Sequence, residues 1–503
     1  MRKNPLLPLL PVMLLFFAAS CKKDLNVING SLKKDAKQQD RGFIVIAKEG
    51  VQLSGIEEGL KAIGARKFVL RSTNQQLGLI SVQTPDPSFP EKARKIEGVQ
   101  SVAVDLVMNW RLPEKIYKSG EYYKAGAAAN PGKPNTAKAI PIPGNPLSFL
   151  QWDLRSVKAP EAWAKGYKGN GATVAVLDGG FLLNDPEISP NIIGSHSFIE
   201  GEEVQYHGLE GFSHGTHVAG TIAALDDAFG VVGVAPQTKL LLVKVLSDAG
   251  TGPWSGIIDG IYYAVSHRAN VINMSLGGEL PRKTFVDDNG TPNDPSDDYT
   301  VEYDRDIRDL VIALNRATLW ATINGVTVIA AAGNDGYDYD HEKRFITYPA
   351  ACLGVLCIAS NGPLGWGINQ DTSLYVPSYT FSNHGKNFVS YGAPGGNYSI
   401  PLNTTIVNVG GIVRPEYVFD FVFNIGGWDE FSGSFFYVWS VGTSMAAPHA
   451  SAAAALIYGK YKRLANPLLV ELILRRSSTD LGAPGRDTYF GNGQINAAKA
   501  VSY

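Results

Sequence analysis

Four stretches of this sequence are apolar almost without a break: ATVAVLD (172–178), KLLLVKVL (239–246), NVINMSL (270–276) and VTVIAAA (326–332). A strand with one wet face alternates apolar and polar residues. A run without alternation has both faces covered, the condition of a strand inside a parallel sheet. Parallel neighbours need crossovers, and helical stretches such as HGTHVAGTIAAL and SGIIDGIYYAVSHR stand between the runs. The pattern predicts an α/β domain over 148–503 with a doubly wound, mostly parallel sheet, its functional groups gathered beyond the carboxyl ends of the strands.

The sequence upstream has a different texture. In residues 42–112, GFIVIA reads as a strand and Ile56, Leu60 and Ile63 are spaced for a helix. LGLISVQT is a second strand, PSFPEKARKIEG a second helix and VQSVAVDLVMNW a last strand, together a small α+β, ferredoxin-like unit. Residues 113–147, rich in Pro, Gly, Ala and Lys, read as an exposed linker. Residues 1–20 read as a secretory signal: Arg2 and Lys3 precede an apolar run, Leu6 to Ala19, too short to span about 30 Å of hydrocarbon. Ala18, Ala19 and Ser20 stand directly before Cys21, which resembles a bacterial lipoprotein box. That resemblance implies a lipid on Cys21, with 21–41 as a polar tether and the lipid as the sole membrane attachment. Lys plus Arg number 45 against 47 Asp plus Glu, so no basic footprint for nucleic acid exists. Three cysteines exclude a disulfide scaffold.

Three polar residues interrupt the apolar pattern where chemistry is expected. Asp178 closes the first run and is followed by Gly179 and Gly180; His214 opens a helical stretch in SHGTHVAGT; Ser444 opens an Ala-rich one in GTSMAAPH. A serine hydroxyl is a weak nucleophile until a base takes its proton, and an imidazole does so when a carboxylate fixes its tautomer. A serine at a helix start also lies among free backbone N–H groups suited to an oxyanion. Alone, each residue is as well explained as a cap or turn former. Together VAVLDGG, SHGTHVAGT and GTSMAAPH, in the order Asp, His, Ser, resemble the subtilisin-like serine proteases, and GVVGVAP, ANVINMSLGG, VIAAAGNDG and GNGQINAAKAV extend the likeness over roughly 150–500.

The resemblance implies a serine endopeptidase acting on polypeptides, with Ser444 as nucleophile, His214 as general base, Asp178 as its orienting carboxylate and Asn334 as oxyanion donor. His217 is then a structural helix residue. Substrate would bind as an added strand between Gly250-Thr251-Gly252 and Ser275-Leu276-Gly277, with Ala331, Ala332 and Gly333 completing a pocket whose walls hold no acid and suit apolar residues. No cofactor is required for the chemistry. Structural calcium is implied at Glu187 and Asp227, with a third side-chain ligand near 148–151 not evident. The 42–112 unit resembles the family's inhibitory propeptide, cut away by the enzyme itself after Trp110.

Several features depart from the pattern. Gly179 stands where Ser or Thr is common. An acidic insertion near 279–305 contains DDNGTPNDPSDD, which alternates oxygen ligands with turn formers and reads equally as a calcium loop or a solvated turn. A second insertion near 397–437 has the alternation of a hairpin flanking the active site. Cys352 and Cys357 read as either a disulfide or two buried thiols. An exported, self-processing protease is the leading expectation, and its rival is a subtilase-fold binding scaffold occluded by the 397–437 insertion.

Overall fold

The computed structural model describes residues 41–64, 67–110, 116–123, 144–208, 211–287, 299–370 and 375–503. The signal, Cys21 and the tether lie outside the described residues. The N-terminal unit comprises β1 (Arg41–Ala47), α1 (Leu53–Ile63), β2 (Val69–Asn74), β3 (Leu79–Thr84), α2 (Phe89–Ala93) and β4 (Val99–Val104), its antiparallel sheet ordered β2-β3-β1-β4. The sequence reading has three strands here, and β2 is the one it lacks. VLRSTN is a half-exposed edge strand whose two apolar residues give no alternation to detect.

The period-two alternation of β1 sends its side chains into two different cores. Phe43, Val45 and Ala47 join Leu53, Ile56, Leu60 and Phe89 beneath the unit's own helices. Ile44 and Ile46, with Leu77 and Leu79, belong instead to a core shared with the second domain. Burying a side chain of this kind contributes about 1.5–3 kcal/mol. The seam between the two units is therefore continuous apolar core. The chain leaves the unit through β5 (Val107–Asn109) and β6 (Ile116–Tyr123). The stretch expected to be linker thus contains a strand.

The second domain holds β7 (Thr173–Asp178), β8 (Ile192–Ser197), α3 (His214–Ala223), β9 (Lys239–Lys244), β10 (Thr251–Pro253), α4 (Trp254–Ser266), β11 (Val271–Met274) and α5 (Arg305–Ile323). It continues with β12 (Thr327–Ala331), β13 (Val355–Gly362), β14 (Val376–Pro377), β15 (Tyr391–Pro394), β16 (Val422–Asp429), β17 (Ser434–Ser440) and α6 (Thr443–Tyr461). The main sheet runs β14-β13-β12-β11-β7-β9-β8, with β15 also pairing β13, and every pairing but that of β14 is parallel. The four apolar runs are the adjacent central strands β12, β11, β7 and β9. Alternate residues serve opposite faces: Val174, Val176, Leu240 and Leu242 enter one core, while Ala175, Leu177, Leu241 and Val243 enter the other.

The 397–437 insertion contains the expected hairpin. β16 and β17 pair antiparallel from Val422↔Ser440 to Asp429↔Ser434, and β17 runs on into Gly442–Ser444. In the acidic insertion, Gly278–Pro281 pairs with Phe345–Tyr348 and Phe285–Asp287 with Tyr299–Val301. Most of its suggested calcium loop, 288–298, lies outside the described residues. Cys352 and Cys357 are free, buried thiols, and burial pushes that of Cys352 up to about 12.

Candidate active site

Asp178 is the last residue of β7, fully buried, and its register partner is Lys244 at the end of β9. Gly179 N–H donates to Asp178 Oδ1 at 2.7 Å, and buried Lys244 donates to the Gly179 carbonyl at 2.7 Å while pairing with Asp248 and Glu202. The strand-end turn is thereby held from both sides. His214 is the first residue of α3, a helix begun by Ser213, whose hydroxyl oxygen accepts from Thr216 N–H at 3.3 Å. His214 Nδ1 lies 2.9 and 3.1 Å from the two Asp178 oxygens. An ionised carboxylate only accepts, so Nδ1 carries the hydrogen and Nε2 keeps the lone pair.

The serine completes the set without closing the hydrogen-bond chain. Ser444 is buried at the mouth of α6; its Oγ donates to the Ser275 carbonyl at 3.1 Å, and Ser275 Oγ donates back to the Ser444 carbonyl at 2.7 Å. His214 Nε2 is buried with no hydrogen-bond partner. What stands against the imidazole is Trp110, its ring centroid 4.3 Å away at 65°. Asn334, just beyond β12, accepts at Oδ1 from Thr443 N–H at 2.8 Å and Thr443 Oγ1 at 2.9 Å. With the oxygen arm so fixed, the Nδ2 arm is the one left for a ligand. His217 is fully buried on α3, and burial drives its pKa down to about 3, so it stays neutral as a structural residue.

The first expected substrate edge is filled. β5 pairs antiparallel with β10, Asn109 opposite Thr251 and Met108 opposite Gly252, and Trp110 N–H donates to the Gly250 carbonyl at 2.8 Å. Gly250 has φ +79°, and a Cβ there would lie 2.6 Å from the Trp110 carbonyl oxygen, so glycine is what permits the approach. Met108 enters a recess beside Gly278 and Trp254. On the second edge Ser275 and Leu276 are buried and Gly277 half-buried; on the neighbouring strand Ala331 ends β12 and Ala332 follows it. Gly333 has φ +99°, and a Cβ there would strike the Asn383 amide at 2.4 Å. Among the described residues, no strand pairs with this edge.

Asp227 lies in the loop after α3, and Glu187 contacts the same loop through Leu225 and Val231. Glu187 is fully buried; its Oε1 accepts from Tyr437 OH at 2.5 Å and Val231 N–H at 3.2 Å, its Oε2 has no partner, and burial pushes the carboxyl well above its usual range. Asp227 is exposed and accepts from Phe229 N–H at 3.1 Å. In that loop the carbonyls of Leu225, Phe229 and Val231 converge on Asn145 Nδ2 at 2.9, 2.5 and 2.7 Å, while Asn145 Oδ1 is buried without a partner. An amide has two hydrogens for these three acceptors. Converging carbonyls with two orphaned side-chain oxygens form the hard-donor set that Ca²⁺ takes. Asn145, just ahead of the stretch where the sequence reading sought a third side chain, is the residue that would complete such a site. No group of three or more His, Cys, Asp or Glu able to hold a metal occurs among the described residues.

The sequence reading also missed Lys244 and Thr443, and it named Trp110 only as the residue before the cut, not as the group against His214; all three act through contacts with residues distant in the chain.

Comparison with known proteins agrees with this geometry. The subtilase family model matches residues 169–493. The major intracellular serine protease of Bacillus subtilis (strain 168) is 35% identical over 313 residues, covering 62% of this chain and 76% of that protein. Subtilisin of Bacillus pumilus is 31% identical over 361 residues, covering 70% of this chain and 98% of that one. Among solved structures, the epidermin leader peptide processing serine protease of Staphylococcus aureus superposes with a TM-score of 0.66 over 92% of this chain and 98% of its own, at 19% identity, a likeness of fold. The chain belongs to the subtilase family and is a serine endopeptidase.

Proposed function

We propose that this endopeptidase is made as an exported zymogen whose residues 42–110 inhibit the catalytic domain until the enzyme cuts itself free. The observation that carries the reading is the strand β5 on β10, with Trp110 against His214. This is how a polypeptide substrate would lie, and the chain's own segment lies there instead. The Trp110 carbonyl is set against Gly250. The first carbonyl beyond it is that of residue 111, so we place the cut at the Arg111–Leu112 bond. A cut there puts Arg111 on the acyl side of the scissile bond and argues against a purely apolar preference, with Asp335 two residues beyond Gly333 as the nearest acid in sequence. The rival scaffold, occluded by the 397–437 insertion, finds no support: β16 packs beside α3, with Asn424 Nδ2 on Thr221 Oγ1 at 3.4 Å, and the group over the histidine belongs to the N-terminal unit.

In the proposed reaction the Ser444 hydroxyl leaves the Ser275 carbonyl and gives its proton to His214 Nε2 as Oγ bonds to the scissile carbon. Asp178 supports the imidazolium, and Asn334 Nδ2 with the Ser444 N–H at the positive end of α6 receives the oxyanion. The imidazolium then protonates the departing amine as the C–N bond breaks. Water repeats the sequence on the acyl-enzyme. No cofactor takes part.

Calcium, in this reading, is held by the Leu225, Phe229 and Val231 carbonyls with Glu187, Asp227 and Asn145, and supplies charge that ties the loop after α3 in place. Export and lipid attachment at Cys21 are supported by the leader sequence alone. Since Cys21 precedes the cut, the lipid stays with the inhibitory unit. A fluorophosphonate probe tests the reading: it should label Ser444 in processed chain and leave unprocessed chain unlabelled. Labelling of the unprocessed chain contradicts the inhibition, and labelling of neither contradicts the catalytic assignment.

A further inference from the structure

The hairpin that delivers the nucleophile carries a second strand-binding edge. β17 ends at Ser440, just before Gly442–Ser444, and its outer edge pairs antiparallel with β6: Ser440 opposite Ile116, Trp439 opposite Tyr117 and Val438 opposite Lys118. Past an irregularity, Phe436 faces Tyr122 and Phe435 faces Tyr123. Successive side chains of the added strand find different partners. Tyr117 accepts from the Tyr417 hydroxyl at 2.9 Å and packs edge-on to its ring at 5.5 Å, whereas the Lys118 ammonium lies 4.5 Å from the Phe436 ring centroid. Main-chain pairing with alternate side-chain seats is how a sheet edge binds an extended peptide.

The two edges bracket the catalytic residues. Upstream, β5 lies on β10 with Trp110 at His214; downstream, β6 begins opposite Ser440. Cutting between them leaves the acyl half on β10 and the departing amine half on β17. We propose that the outer edge of β17 is the subsite for the leaving-group side of a polypeptide substrate, held as an added antiparallel strand, and that residues 116–123 are its occupant in the precursor. This rests on the self-processing reading above. After the cut, residues 116–123 remain on the catalytic chain. Tethering gives such a segment an effective concentration in the millimolar range, so it competes with any incoming strand.

The test therefore vacates the edge, replacing residues 116–123 of the full chain by eight alternating Gly and Ser. Two peptides are compared as substrates, one of residues 107–123 and one of residues 107–113, which share the acyl side. The processed variant should show a KM about tenfold lower for the long peptide, and processed wild type, its edge already filled, should show KM values within about twofold of each other. Equal KM values in the variant overturn the assignment. If the variant cuts neither peptide, the peptidase reading is what fails, and binding of a fluorescent peptide of residues 116–123 then decides. Binding to the variant and not to wild type supports the edge, and no binding to the variant overturns it.

Discussion

In the described state the Ser444 hydroxyl donates to the Ser275 carbonyl while the imidazole that should take its proton faces an indole. The catalytic groups are in place and the hydrogen bond between them is not. This geometry is what the proposed inhibited precursor requires: the Asp178–His214 bond pre-formed, and the last link to be made once the indole leaves. Asn334 is prepared in the same way, since Thr443 fixes its oxygen whether or not substrate is present. Asn334→Ala should lower kcat about 10²–10³-fold, the usual worth of one oxyanion donor, with KM little changed. Steady-state kinetics on the processed enzyme check this, and an unchanged kcat would remove Asn334 from the site. Asp178, His214, Ser444 and Asn334 were legible in the sequence because each sits in a local word with a strand end or helix start beside it. Trp110 and Asn145 were not, since their partners come from other elements and no local pattern marks them.

At the scale of elements, the β16–β17 region holds a buried acid pair. Glu416 and Asp420 are 1% and 2% exposed; Asp420 accepts from Gly365 and Trp366 N–H, and Glu416 from Gly367 N–H and Asn403. Burial, with Glu416 alongside, pushes Asp420 up to about 8. The folded state thus holds a proton that the unfolded chain loses near 3.8, so stability falls as pH rises from about 4 to 8 and the loss is complete above that. Asp420→Asn, which keeps the volume without the titration, should flatten this slope and raise the melting temperature at pH 9, as calorimetry at pH 5 and 9 would show. An undiminished slope would place the pH dependence elsewhere. The central strands were readable for a related reason: β7, β9, β11 and β12 are covered on both faces, so burial writes itself into every residue. β2 and β6 are edge strands whose pairing is decided by distant partners, and IYKSGEYY in a Pro- and Gly-rich stretch carries no periodic signal.

For the whole molecule, the seam between the two units carries acids as well as apolar core. Asp105 caps α4, accepting from Ser255 N–H at 3.0 Å and its hydroxyl at 2.5 Å, while Asp259 of α4 accepts from Ser72 and Asn74. Burial raises both carboxyls to about 6 from 3.8. The docked state therefore retains protons that the separated units release. Docking is tightest near pH 4 and weakens as pH rises through about 6, by at most about 3 kcal/mol for each acid. After processing, the N-terminal unit should co-elute with the catalytic domain at pH 5 and separate more readily at pH 8; the reverse order would contradict the assignment. The calcium site proposed at Glu187, Asp227 and Asn145 makes a separate prediction. Chelation should lower the melting temperature by the loss of about 2.7 kcal/mol if the ion is present at one hundred times its Kd, and Glu187→Gln should blunt that response. A melting curve indifferent to chelator would exclude the ion.

Self-processing by Ser444 is tested most directly by intact mass and N-terminal sequencing of purified wild type beside Ser444→Ala. The prediction is a wild-type catalytic chain beginning at Leu112 and a Ser444→Ala chain uncut between Trp110 and Ile116. Cleavage there in both chains, or in neither while wild type still digests casein, would contradict it.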